Sequence, residues 1–179
     1  MTSLPRLIGA WVLVIAAAAA VLQAVDRLPA LLAGTTHGAR VFNSIEDAEQ
    51  AVGARIRLPG YYPEDLRWPP SRIEVSPSVP PTVVVRVAGR DDGRERLVVA
   101  HCVGCTAPPP EDLVPPGEAM ETTPIRVGAT AAHLVRVLLG PRELHDLWWI
   151  QDGRRITLRY SGPVGQLLLM AESLERGYR

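Results

Sequence analysis

Asp146–Tyr160, DLWWIQDGRRITLRY, is the stretch that decides the fold. Side chains alternate on both sides of Asp152-Gly153, a dipeptide suited to a two-residue hairpin turn with positive φ at both positions. That turn sets Trp149 opposite Ile156 and Leu147 opposite Leu158 on one face. Trp148, Ile150, Arg155 and Thr157 then share the other face. Neighbouring side chains on a strand point opposite ways, so one tryptophan belongs to a core. The other is a candidate ligand platform or interface anchor, and Trp148 and Trp149 are both carried forward.

The chain after this hairpin, SGPVGQLLLMAESLERG, reads as an amphipathic helix. Ser161 is its expected cap and Pro163 fits the first turn. Val164, Leu167, Leu168, Ala171 and Leu174 form the apolar stripe, and Gly177 is the stop. Before the hairpin, Thr82–Ala88 and Arg96–Cys102 flank Asp92-Gly93 and read as a second hairpin. A tight turn there pairs Val87 with Val98, Val85 with Ala100 and Val83 with Cys102 on the core side, leaving Arg86 and His101 on the other. Arg72–Ser76, Ala54–Leu58 (ARIRL), Pro124–Val127 and Ala131–Leu139 are further strand candidates, the last also compatible with a helix. Thr106–Thr123 carries many prolines and no period, and reads as a loop that is either plain surface or a docking segment of polyproline type.

Ser44 opens a short helix, SIEDAEQAV, with Ile45, Ala48 and Val52 on one side and Gly53 as the left-handed stop. The sum is an α+β fold. A sheet of five to seven antiparallel strands carries a short N-terminal and a longer C-terminal helix on one face.

Residues 1–25 set the expected location. MTSLPR precedes an uncharged apolar run from Leu7 to Val25, long enough as a helix to cross a hydrocarbon core of about 30 Å. It reads as a membrane anchor or an export signal. Leu22 at −3 from a cut after Ala24 is poor for a signal, and Thr35 follows LLAG where a lipid-bearing cysteine would be needed. The expected organisation is therefore a cytoplasmic stub and transmembrane anchor over 1–27, a tether over 28–41, and an extracytoplasmic domain over 42–179 at the cell membrane.

The 179 residues carry 19 basic and 19 acidic side chains, and every basic one is Arg. With no net charge and no basic stripe between aromatics, nucleic acid is not expected as a partner. No Gly-x-Ser-x-Gly elbow, glycine-rich phosphate loop or facing carboxylate pair is present, so no catalytic residue is assigned and no cofactor is expected.

Cys102-Val103-Gly104-Cys105 is the one segment with chemistry in it. Outside the cytoplasm, two nearby cysteines are most simply a disulfide. A thiol-redox pair, two unpaired buried thiols and half of a metal site are the alternatives. The metal reading requires His101 together with His133 or His145. Tyr61-Tyr62-Pro63 with Trp68 is a second aromatic cluster, and Tyr61 and Tyr62 are kept as interface candidates.

NSIEDAEQAVG, RLPGYYPEDL and LWWIQDGRRITLRYSG with its LLLMAESL helix resemble a family of extracytoplasmic domains of unknown function. Such domains stand behind one membrane helix, some of them on bacterial anti-sigma regulators. The resemblance spans residues 41–174 and implies a sensor or binding domain, supplying no catalytic residue. Only about six residues precede the apolar run, so a sigma-binding segment is not expected ahead of it. The functional expectation is a non-enzymatic, membrane-anchored binding or sensing domain with a protein partner, or a small ligand or lipid. An accessory subunit of a membrane complex, its anchor packed through Gly9 and Ala16–Ala20, is the alternative.

Overall fold

The computed structural model describes residues 38–176. The anchor expected over Leu7 to Val25, most of the tether and the stop at Gly177 lie outside the described residues. Among the described residues no helix is long and apolar enough to cross a membrane.

The elements follow the order β1 (Arg40–Phe42), α1 (Ile45–Val52), β2 (Arg72–Val75), β3 (Thr82–Ala88), β4 (Glu95–Cys102), β5 (Glu118–Val127), β6 (Thr130–Leu139), β7 (Arg142–Gln151), β8 (Arg154–Tyr160) and α2 (Val164–Arg176). All eight strands lie in one antiparallel sheet of order β1-β2-β3-β4-β8-β7-β6-β5. Two four-stranded meanders thus meet where β8 returns to pair with β4. The sheet exceeds the five to seven strands expected: β1 begins in the predicted tether and adds an edge strand, and β5 extends the Pro124–Val127 strand back into the predicted loop.

One face of the sheet is the helix face. Val83, Val85, Leu97, Val99, Leu147, Trp149, Ile156, Leu158 and Tyr160 pack there with Ala48 of α1 and Leu167, Met170, Ala171 and Leu174 of α2. The apolar stripes of both helices explain this, since each must bury one side. Ser44 caps α1 by accepting the Asp47 amide at 3.1 Å, and Gly53 closes it at φ 65°. At α2 the Pro163 carbonyl accepts from Gln166 and Leu167, so Ser161 stands ahead of the cap position assigned to it.

The opposite face has a different cover. The connection from β4, at the middle of the sheet, must reach β5 at its far edge. It runs across this back face and buries Leu113 and Val114 against Val84, Val98 and Ala100. The proline-rich segment is therefore a packed lid over part of its length. Its last residues, Glu118–Thr123, belong to β5, where seven successive residues are exposed. ARIRL is not a strand. The Ile56 amide turns to the Glu49 carboxylate at 2.8 Å, and β2 pairs on that side with β1 instead.

The β7–β8 hairpin has the expected register, with Trp149 opposite Ile156 and Leu147 opposite Leu158. Asp152 at φ 50° and Gly153 at φ 70° form the turn. The β3–β4 hairpin does not. Gly89–Arg94 makes a longer connection and β4 bulges at Arg96, opposite the Val87–Ala88 step, so Val87 faces Leu97, Val85 faces Val99 and Val83 faces His101. That one-residue slip moves His101 to the helix face and Cys102 to the back face, reversing both expectations.

Candidate functional site on the back face

Trp149 is completely buried in the core, and its indole Nε1 donates to Gln151 Oε1 at 3.2 Å. Trp148 emerges on the back face, half-buried. His133, directly across from it on β6, stacks on its ring with centroids 4.2 Å apart and planes 17° from parallel. From β8, the Arg155 guanidinium lies 4.0 Å from the ring centroid. One cation, one indole and one imidazole thus form a row across three strands, with Ile150 exposed beside it. Alternation in β7 places Trp148 and Arg155 on a shared face. His133 is not legible as their neighbour, because it enters through the strand that also reads as a helix.

Below this row the lid is fastened by two arginines. Arg159 holds both Asp146 oxygens, through Nε and Nη2, at 2.7 Å each, and donates Nη1 to the Pro115 carbonyl at 2.6 Å. Arg86 donates to Glu74 and Glu95 at 2.7 Å each and reaches the Leu113 carbonyl. Burial pushes the Arg86 guanidinium down, and Glu95 and Glu74 more than offset it, leaving it above its ordinary value. Glu74 is only 2% exposed and is ion-paired with both Arg86, at 2.7 Å, and Arg72, at 3.0 Å.

Cys102 and Cys105 are at disulfide distance, with Cα atoms 5.3 Å apart. The Cys105 carbonyl accepts the Arg155 amide at 2.8 Å, tying this short loop to the strand that carries the row. The histidines weighed as metal ligands do not converge on it. His101 lies on the helix face, 5% exposed, with Nε2 against the Arg57 carbonyl. His133 is committed to Trp148, and His145 pairs with Tyr160 on the helix face. Among the described residues no group of three or more His, Cys, Asp or Glu is gathered for a metal. Burial lowers the His101 pKa to about 4, and the nearby Arg57 and Arg154 charges add to that.

Tyr61 and Tyr62 do not join the Trp148 row. The Tyr61 amide donates to Ser173 Oγ at 3.1 Å and its hydroxyl meets Gln166, docking the turn on α2. The Tyr62 ring meets Trp68 at a tilt, with centroids 5.0 Å apart and planes 43° from parallel, and packs against the core on the helix side, where burial pushes its hydroxyl pKa up. This cluster is a packed turn with Trp68 at its exposed rim.

Compared with protein-family models, with curated proteins and with solved structures, the chain finds no match.

Proposed function

We propose that this chain is a membrane-anchored, non-enzymatic binding protein. In this reading its α+β domain works outside the cytoplasm and engages a partner or ligand through the Arg155–Trp148–His133 row. The observation that carries the reading is the row itself. An indole flanked by a guanidinium and an imidazole stays half-exposed on the face that the helices leave uncovered. Tryptophan and arginine are the side chains most often found at the energetic centre of binding surfaces. The uncharged run from Leu7 to Val25 supports the membrane location, and the resemblance to domains carried behind one membrane helix agrees with it.

A photo-cross-linking residue at position 150, beside Trp148, tests the reading in the full chain in its own membrane. Position 169, an exposed leucine on α2, is the control. The expected result is a discrete adduct from position 150 that disappears in Trp148→Ala and is absent from position 169. Equal adducts from both positions, or none from either, would overturn the proposal.

A further inference from the structure

Arg86, Arg155 and Arg159 stand on the back face, and two of them complete their bonding within the protein. Arg159 and Arg86 each hold a carboxylate and a carbonyl of the lid. Arg155 is different. Among the described residues it has no carboxylate at ion-pair distance, and its buried Nε has no hydrogen-bond partner. Asp146 is close enough to act on it electrostatically, but both Asp146 oxygens are taken by Arg159. Thr157, two residues along β8 and on the same face, is 5% exposed, and its hydroxyl also has no partner among the described residues. Buried polar groups are nearly always hydrogen-bonded, so two such groups side by side call for an explanation. Trp148 lies against the guanidinium and opposite Thr157, and Ile150 opposite Arg155 continues the apolar border.

Resting on the binding reading above, we infer that Arg155 and Thr157 form the polar end of a carboxylate-binding site, with Trp148 and Ile150 as its apolar wall. The geometry favours a carboxylate over a phosphate. One guanidinium and one hydroxyl match a single negative charge. A dianion would bring a second charge toward Asp146, while the neighbouring Arg159 is already engaged. The same face already contains the expected arrangement, in the two-point contact of Arg159 with Asp146. The carboxylate belongs either to a free small molecule or to a partner protein, and an apolar or aromatic group adjoins it.

The test is titration of the full chain in mild detergent with N-acetylphenylalanine, its carboxamide, inorganic phosphate, and a longer peptide ending in phenylalanine. N-acetylphenylalanine is expected to bind at least about tenfold more tightly than its carboxamide, with phosphate no better than the carboxamide. Arg155→Met should erase that preference and Thr157→Val should reduce it about threefold, with the circular dichroism of both variants unchanged. Affinity that rises about tenfold or more with peptide length assigns the carboxylate to a protein, and affinity independent of length assigns it to a small molecule. Equal binding of acid and carboxamide, phosphate binding as tightly as the acid, a preference that survives Arg155→Met, or no binding of any probe would overturn the inference. The position-150 adduct persisting in Arg155→Met would then leave the binding face standing and remove only the ligand class.

Discussion

Acidification should weaken this fold through His101. The imidazole sits on the helix face with Val83 and Ile156 opposite it, and its Nε2 meets the Arg57 carbonyl. Charging it in place would set a cation in the core beside two arginines, which is why its pKa falls from 6.5 to about 4. In the unfolded chain it titrates near 6.5. Between these two values the unfolded state holds a proton that the folded state refuses, so stability is fully present above pH 6.5 and is lost as pH falls toward 4. Each tenfold difference in proton affinity between the two states is worth about 1.4 kcal/mol, so acidification from pH 7.5 to 4.5 removes about 2–3 kcal/mol through this residue. Urea unfolding of wild type and His101→Gln at both pH values isolates the effect, because the variant keeps every carboxylate and its amide still donates to Arg57. The variant is expected to be less stable than wild type at pH 7.5 and to lose about 2–3 kcal/mol less on acidification. Parallel losses in the two proteins would show that His101 is not the acid-sensitive group.

Asp146→Ala leaves Arg159 buried without its carboxylate and should cost about 3–5 kcal/mol, while Asp146→Ala with Arg159→Met should recover a large part of it; equal losses in a denaturant series would contradict the pairing. Trp149→Ala should cost about 3–5 kcal/mol by opening the core, and Trp148→Ala clearly less, so melts in which the two match would mean that the faces are misassigned. Ser44→Ala should cost about 1 kcal/mol by freeing the Asp47 amide, and urea midpoints unchanged within error would argue against that cap.

What could be read from the chain depended on turn chemistry. Asp152-Gly153 forms a two-residue turn, so the expected β7–β8 register holds and Trp148 and Trp149 fall on their proper faces. Asp92-Gly93 carries the same dipeptide inside a longer connection. There the Gly89 amide donates to the Arg94 carbonyl, and the extra residue on β4, Arg96, which stands between the pairs Ala88–Glu95 and Val87–Leu97, exchanges the faces expected for His101 and Cys102. Glu118–Thr123 offers no alternation because neither side of that edge strand is buried, and a strand without a covered face leaves no period to detect. ARIRL alternates as a strand does, yet it has no neighbour to pair with. Of the candidate site, Trp148, Arg155 and Thr157 were legible as one face of a hairpin. His133 was not, nor was the grip of Arg86 and Arg159 on the lid, since both depend on pairings between distant strands and on where a proline-rich connection crosses the sheet.

A binding domain held outside the cytoplasm by the segment from Leu7 to Val25 should declare itself through two reporters fused at the C-terminus. One is a phosphatase that is active only after export, the other a fluorescent protein that matures only in the cytosol. The phosphatase is expected to be active and the fluorescence absent, with both fusions retained in the membrane fraction; bright fluorescence with a silent phosphatase would contradict the proposed location and with it the binding role.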